Sequence, residues 1–237
     1  MRDIVIKCEQ WLSDEVKKAG ASGIILGLSG GIDSSVLAAL GREALGHDGV
    51  LGVIMPCHSN PNDEADAKLL AETLDVKYTR VDLSAAYDSM CEALGVEVSP
   101  LVSSNMKARL RMVTLYALGQ TNRLLVCGTS NRSEYETGYF TKYGDSGSDL
   151  MPLASFLKRD IRAMAKILGV PERIITKAPS AGLVDGQTDE GDMGFTYDVL
   201  DEYLASGKID DPSAKERIDV MRRRSEHKRK PIPIFRP

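Results

Sequence analysis

The chain has 237 residues, of which 43% are hydrophobic and 27% are charged, and its formal net charge is −4. A chain of this length and composition can bury a hydrophobic core. This excludes a disordered chain and a small fold held together by disulfides. The acidic balance argues against a dedicated nucleic-acid binder, because such proteins usually present a basic surface.

Short β-type runs alternate with longer helical patterns along the chain. The predicted elements are, in chain order, a strand at 23–28, a helix at 33–44, a strand at 50–55, a helix at 62–74, a strand at 77–81, helices at 84–94 and 104–119, a strand at 123–127, and helices at 155–168, 196–205 and 213–224. This alternation predicts a doubly wound parallel sheet flanked by helices, of the Rossmann-like type, with ligands beyond the carboxyl ends of the strands. No linker is visible, so we expect one domain over residues 1–237.

Several features predict a cytoplasmic protein. The four cysteines are scattered without metal-site spacing, which fits a reduced compartment. The first residues lack the pattern of a secretory signal, and the apolar stretches are too short to span a bilayer, so we expect no membrane partner. A basic run at 221–230 is better explained as a solvated terminal helix, because the acidic total opposes a nucleic-acid partner.

The segment 28–35 (LSGGIDSS) lies between a predicted buried strand and a predicted helix. Its two glycines permit a tight turn, and the N–H groups at the helix start, together with the serine hydroxyls, can face a phosphate. The segment is not a Walker A loop, because no Gly-Lys-Ser/Thr follows. Asp33 would repel phosphate unless a Mg²⁺ ion joins the two. The simpler alternative is an ordinary glycine-rich turn in which Asp33 is the helix N-cap.

The string SGGIDSS at 29–35 resembles the pyrophosphate-binding loop of the N-type ATP pyrophosphatases. Five later segments are similar, in the same order, to motifs of the NAD synthetases within that superfamily. These segments are NMKARLRM at 105–112, GTSNRSE at 128–134, TGYFTKYGD at 137–145, KAPSAGL at 177–183 and GQTDE at 186–190. The resemblance covers the chain from about residue 23 to residue 228.

The resemblance implies the adenine nucleotide α hydrolase type of α/β fold. The ATP pyrophosphatase core would occupy about 20–177, and substrate loops with C-terminal helices about 178–237. It also implies a ligase that adenylates the nicotinate carboxylate of deamido-NAD with Mg-ATP, releases pyrophosphate, and amidates the acyl group with ammonia. The products would be NAD and AMP, in the last step of NAD biosynthesis. Free ammonia is the expected nitrogen donor, because the chain has no room for a glutaminase domain.

The resemblance further implies roles for individual residues. ATP would be bound by Gly27, Leu28, Ser29, Gly30, Gly31, Ile32, Asp33, Ser34, Thr129, Lys158 and Ser180. Deamido-NAD would be bound by Arg109, Tyr139, Lys142, Asp149, His227 and Lys228, with Tyr139 stacked on the pyridine ring. Mg²⁺ would be bound by Asp33 and Glu134, although each of these acids alone could also be an ordinary loop or cap residue. The expected catalytic residues are Asp33, Lys158 and Asp149, the last as acceptor of a proton from ammonia.

The family resemblance also implies a homodimer with dinucleotide sites at the subunit interface, to which the helix at 104–119 could contribute. Two other functions stay open at the level of sequence. The first is another adenylating amidotransferase or a tRNA thiolase on the same fold, which the missing thiolation-type cysteine pair and the lack of a basic surface disfavour. The second is a module that binds ATP without turning it over.

Overall fold

The computed structural model describes residues 1–179 and 188–236. Its strands form one parallel sheet with the spatial order β3-β2-β1-β4. They are β1 (Gly23–Gly27), β2 (Val50–Ile54), β3 (Lys77–Arg80) and β4 (Leu124–Val126). Ile24 of β1 lies opposite Val50 on one side and Leu125 on the other. The strand order reverses between β1 and β4, and in such sheets the crevice at this switch point is where ligands bind.

Helices flank the sheet in the described part of the chain. They are, in order, α1 (Arg2–Lys18), α2 (Ile32–Leu45), α3 (Pro61–Thr73), α4 (Ser84–Leu94), α5 (Pro100–Asn122), α6 (Arg132–Thr137), α7 (Lys158–Ile167), α8 (Glu172–Ile175), α9 (Asp189–Met193), α10 (Tyr197–Ser206), α11 (Pro212–Arg224) and α12 (Glu226–Arg229). The predicted fold class is confirmed, and each predicted element is present with its ends shifted by a few residues. Within 1–179 and 188–236 no helix is both long and apolar enough to cross a bilayer.

Both faces of the sheet are covered, because successive residues of β1 point to opposite sides. Ile24 and Leu26 pack with residues of α1, α2 and α7 in the larger core cluster. Ile25 packs on the other face, against side chains of α5. A separate apolar cluster holds the C-terminal helices together and is centred on Tyr197 and Leu200. This third cluster places α9 and α10 beside the carboxyl end of the sheet.

Helix α1 is absent from the sequence-based prediction. Its buried residues are Val5, Cys8, Leu12 and Val16, which recur every three or four positions. This spacing is the signature of an amphipathic helix, so the signal was present in the sequence.

Candidate active site

A large cavity of about 1190 Å³ lies at the carboxyl end of the sheet, at the switch point between β1 and β4. Most of the predicted site residues line it. They are Gly27, Leu28, Ser29, Gly31, Ile32, Asp33, Ser34, Thr129, Glu134, Tyr139, Lys158 and Lys228. The fold therefore brings together residues that are up to about 200 positions apart in the chain.

The turn after β1 is closed by its own serine hydroxyls. The hydroxyl of Ser29 accepts from the N–H of Gly31 at 3.3 Å, and the hydroxyls of Ser34 and Ser35 donate to the Gly31 carbonyl at 3.0 and 2.8 Å. Gly31 is the N-cap of α2, and no side chain caps this helix. The alternative of an ordinary glycine-rich turn required Asp33 to be the N-cap of α2, and it is not. The carboxylate of Asp33 instead contacts residues of other elements. The positive end of α2 faces the cavity, as an anion site requires.

Gly30 is required at its position for two reasons. Its φ of +74° lies in the left-handed region, which side-chain-bearing residues rarely adopt. A Cβ atom built on Gly30 would also lie 2.3 Å from the carbonyl oxygen of Asp63 at the start of α3. The turn after β1 and the first turn of α3 thus touch through backbone atoms.

We expect Gly30→Ala to lower the free energy of unfolding more than Gly207→Ala does. Both glycines have φ near +74°, but nothing lies within 4 Å of a Cβ built on Gly207. Gly207→Ala should cost only the backbone strain, about 1–2 kcal/mol, whereas Gly30→Ala adds a clash with backbone that must move. Denaturant unfolding of both variants measures the difference, and equal losses would show that the contact with Asp63 is unimportant.

Lys158 lies at the base of the cavity, between two carboxylates. Its Nζ atom lies 2.6 Å from Oδ2 of Asp33 and 3.1 Å from Oε1 of Glu134, and its side chain is only 2% exposed. Asn131 donates from Nδ2 to Oδ1 of Asp33 at 2.8 Å. The side chain of Asn131 also caps α6 in a capping box with Glu134, which orients Glu134 toward Asp33. Three residues predicted separately thus form one charged cluster.

The pKa values in this cluster are shifted by opposing effects. Burial alone would lower the pKa of the Lys158 ammonium, but the carboxylates of Asp33 and Glu134 outweigh burial and raise it well above its usual range. Burial raises the pKa of the Glu134 carboxyl, which Asp33 and Asp189 reinforce and Lys158 opposes. Lys158 therefore stays charged at neutral pH, and the cavity has a buried positive charge at its base.

Tyr197 and Asp189 extend the cluster, and neither was predicted to have a role. The Tyr197 hydroxyl donates to Oδ2 of Asp189 at 2.9 Å and lies 3.3 Å from Oε1 of Glu134. Its ring lies beneath Lys158, whose Nζ atom is 4.8 Å from the ring centroid. Asp189 belongs to the GQTDE segment, which is similar to a family motif, but the resemblance assigned no role to this residue. Tyr197 has no comparable sequence signal, because a buried tyrosine is most often an ordinary core residue.

The residues predicted to bind deamido-NAD fall into three places. Tyr139 and Lys228 line the cavity, and the Tyr139 hydroxyl donates to Oδ2 of Asp192 at 2.8 Å. Arg109, Lys142 and His227 adjoin one another outside its lining. Arg109 donates to the carbonyl of Lys142 at 3.2 Å, and the Lys142 ammonium donates to the carbonyl of His227 at 2.8 Å.

Asp149 lies apart from both groups. Its carboxylate accepts from the N–H of Val126 at 2.8 Å and from the hydroxyl of Tyr116 at 3.1 Å. It lines a second cavity of about 320 Å³ together with Glu15 and Lys18. Its role as a proton acceptor stays a prediction. Ser180, predicted to contact ATP, lies outside the described residues.

The donor set at the base of the cavity suits magnesium. Asp33 and Glu134 bring carboxylate oxygens to one ammonium group, so the two carboxylates are close neighbours. Mg²⁺ in nucleotide enzymes usually takes one or two protein carboxylates, and substrate phosphates and water complete its shell. Among residues 1–179 and 188–236, no three His, Cys, Asp or Glu side chains form a metal centre by themselves. The site fits an ion that shares its ligands with a nucleotide.

Fold and site together define an α/β protein of the nucleotide-binding class, with a phosphate-type turn between the first strand of a parallel sheet and the helix that follows it. Residues 4–232 match the family model described as NAD synthase. The chain belongs to the NAD synthase family.

Individual relatives agree with this assignment. A Finegoldia magna protein described as NH(3)-dependent NAD(+) synthetase is 51% identical over 221 residues, which are 93% of this chain and 90% of that protein. A solved structure of NMN synthetase from Francisella tularensis is similar with a TM-score of 0.95 at 38% identity, and the match covers 99% of this chain and 98% of that one. A solved NH3-dependent NAD synthetase from Campylobacter jejuni has a TM-score of 0.83 at 30% identity, with the same coverage.

Proposed function

We propose that this chain is an ammonia-dependent NAD synthetase, which converts deamido-NAD, ATP and ammonia to NAD, AMP and pyrophosphate. The observation that carries the proposal is the turn at 28–35 with the Asp33–Lys158–Glu134 cluster beside it, in a chain 51% identical to a protein described as such an enzyme. The size of the cavity, about 1190 Å³, also suits two nucleotide substrates at once.

In the first step, a nicotinate carboxylate oxygen attacks the α-phosphorus of ATP, and the bond to the pyrophosphate oxygen breaks. The charge that develops on pyrophosphate is stabilised by the N–H groups at the start of α2 and by the Lys158 ammonium. Mg²⁺, which Asp33 and Glu134 would hold, would neutralise further phosphate charge when bound. The chain's main contribution is to hold two anionic substrates together that repel each other in water.

In the second step, ammonia attacks the acyl carbon of the adenylate, the bond between that carbon and the AMP oxygen breaks, and the nitrogen gives up one proton to water as the amide forms. Tyr139 would stack on the pyridine ring, since it lines the cavity and its hydroxyl is held by Asp192. Because Tyr139 and the turn at 28–35 line the same cavity, the pyridine ring and the phosphates of one adenylate could both be bound there.

A second candidate substrate is nicotinate mononucleotide, which has the same reacting carboxylate but lacks the adenylate half. The likeness to the NMN synthetase of Francisella tularensis favours it, at a TM-score of 0.95. Both candidate substrates would react by the same two steps. They differ only in the adenylate half, which deamido-NAD has and nicotinate mononucleotide lacks.

One assay tests the proposal and separates the candidates. The protein is incubated with Mg-ATP, ammonia and either deamido-NAD or nicotinate mononucleotide. We expect NAD and AMP in equal amounts and a higher kcat/KM for deamido-NAD. A higher kcat/KM for nicotinate mononucleotide would show that the mononucleotide, and not deamido-NAD, is the preferred substrate. Formation of neither amide would refute the proposed reaction.

We also propose that the chain forms a homodimer through α5. Val102, Arg109 and Val113 recur at helical spacing on one exposed face of α5, and Val113 is 59% exposed. Exposed apolar side chains on one helix face are typical of an interface. Arg109 lies on this face rather than in the cavity lining, as expected of a substrate residue at a subunit boundary.

Val113→Lys should therefore weaken the dimer, because a buried lysine without a partner is costly at an interface. We expect light scattering to give about twice 25.8 kDa for the parent chain and a shift toward the monomer mass for the variant. Ile6→Lys, an equally exposed apolar position on α1, serves as the control. A parent chain that is monomeric at micromolar concentration would contradict the proposal.

A further inference from the structure

Helix α7, which carries Lys158 as its first residue, begins without a cap of its own. Its N-cap residue is Leu157, whose apolar side chain cannot accept a hydrogen bond. The first N–H groups of a helix have no partner within that helix, so they need acceptors from elsewhere when they are buried. The N–H of Lys158 donates to the hydroxyl of Ser133 at 3.1 Å, and the N–H of Arg159 donates to Oδ2 of Asp201 at 2.8 Å. The start of α7 is therefore held by side chains of two other helices, α6 and α10.

Asp201 joins these three helices at one point. Its Oδ1 atom accepts from the hydroxyl of Ser133 at 2.5 Å, and this same hydroxyl accepts the N–H of Lys158. Asp201 is 1% exposed, Ser133 is fully buried, and both lie outside the lining of the large cavity. A buried carboxylate is costly unless its oxygens are hydrogen-bonded. Here each oxygen has one donor, and the positive end of α7 stabilises the charge.

The same face of α10 also contacts the far end of Lys158. Tyr197 lies one helical turn before Asp201, so the two side chains are neighbours on the helix surface. The Tyr197 ring lies 4.8 Å from the Nζ atom of Lys158, and its hydroxyl lies 3.3 Å from Oε1 of Glu134. Helix α10 thus holds Lys158 at both ends, at its ammonium through Tyr197 and at its backbone through Asp201 and Ser133.

The position of the Lys158 ammonium has to be accurate. It lies 2.6 Å from Asp33 and 3.1 Å from Glu134, and the proposed reaction requires it to meet the charge that develops on pyrophosphate. Lys158 is the first residue of α7, and helix ends fray. Without acceptors from other helices, the backbone from which Lys158 projects would be the least constrained part of the helix.

We propose that Asp201 is a positioning residue for the adenylation step, which acts through Ser133 and the first turn of α7 to fix the place of Lys158. This inference rests on the proposed function and goes beyond it by assigning a role to a residue outside the cavity. Asp201 touches neither substrate. It determines where the ammonium of Lys158 lies when the bond between the α-phosphorus and the pyrophosphate oxygen breaks.

Asp201→Asn tests the inference, because it keeps the shape of the side chain and turns one of its two acceptors into a donor. We expect kcat to fall about 10–100-fold, the effect of a slightly misplaced catalytic group. The KM values for ATP and deamido-NAD should change less than about threefold, since an interaction made mainly in the transition state is weakened. Asp198→Asn makes the same change on a side chain of α10 that is 85% exposed, and it should leave kcat and both KM values unchanged.

A Lys158→Met background separates a positioning role from a purely structural one. There Asp201→Asn should lower kcat by less than about twofold, because no ammonium is left to position. An equal fall of kcat in both backgrounds would overturn the inference, as would a folded Asp201→Asn protein with the kcat of the parent chain. A parent chain that forms no amide product would instead refute the proposed function, and this inference with it.

Ser133→Ala provides a second variant should Asp201→Asn not fold. It leaves Asp201 in place and removes the hydroxyl that accepts the N–H of Lys158. We expect kcat to fall again with little change in either KM value, and this fall to disappear in the Lys158→Met background. A folded Ser133→Ala protein with the kcat of the parent chain would overturn the inference.

Discussion

Replacing Asp33 by asparagine should slow pyrophosphate release by at least ~100-fold, a loss of about 2.7 kcal/mol of transition-state stabilisation. Asparagine keeps the size of the side chain and an oxygen that can accept from Asn131. It loses the negative charge that lies 2.6 Å from the Lys158 ammonium and that would hold Mg²⁺. The substitution therefore removes a charge from the reaction site with little change in shape.

Stopped assays of pyrophosphate and AMP measure this effect. Asp198→Asn is the matched control, because it makes the same chemical change on the exposed surface of α10. Thermal unfolding of both variants checks that the fold is retained. Near-normal turnover by a folded Asp33→Asn protein would show that the negative charge of Asp33 is not needed for the reaction.

The second large effect is expected for Lys158→Met, which removes the ammonium and keeps an unbranched side chain that is one heavy atom shorter. Asp33 and Glu134 would then face each other without a cation. Breaking a buried ion pair from one side typically costs about 3–5 kcal/mol of stability. Turnover should also fall by about 10²–10³-fold, the usual effect of removing one group that stabilises developing charge.

The double variant Lys158→Met/Asp33→Asn tests whether the two residues act as a unit. We expect it to be more stable than Lys158→Met alone, because it has one unpaired carboxylate fewer. Denaturant unfolding of the single and double variants gives the coupling free energy. Additive losses would show that Lys158 and Asp33 do not act as a unit. A Lys158→Met protein as stable as the parent chain would show that the contacts of Lys158 contribute nothing to the stability of the fold.

The sheet and most helices were predictable because local patterns determined them. Strands β1 and β2 are continuous apolar runs, as expected of strands buried on both faces. Helix α7 begins at Lys158, three residues later than predicted, because residues 152–155 form turns and Leu157 is the N-cap of the helix. Helix α1 carries no motif, but the spacing of its buried residues makes it predictable from the sequence.

The candidate site was predictable only in part. Asp33 and Glu134 lie in recognisable motifs, and the role of Lys158 follows from the family resemblance. The structure brings all three side chains together. Their mutual contacts depend on tertiary packing, as does the amide of Asn131 that holds Asp33 in place. Tyr197 reaches the cluster only because the C-terminal helices fold back over the sheet as a separate apolar cluster. Sequence periodicity indicates which face of a helix is buried, but not which cavity a distant helix will border.

The most direct test of the central claim follows one oxygen atom. Deamido-NAD labelled with ¹⁸O in its nicotinate carboxylate is turned over with ATP and ammonia, and the phosphate-containing products are analysed by mass spectrometry. If the carboxylate attacks the α-phosphorus and pyrophosphate leaves at the turn after β1, one ¹⁸O atom from each carboxylate will appear in AMP. Label in inorganic phosphate, together with ADP, would show cleavage at the γ-phosphate and would contradict the proposed reaction.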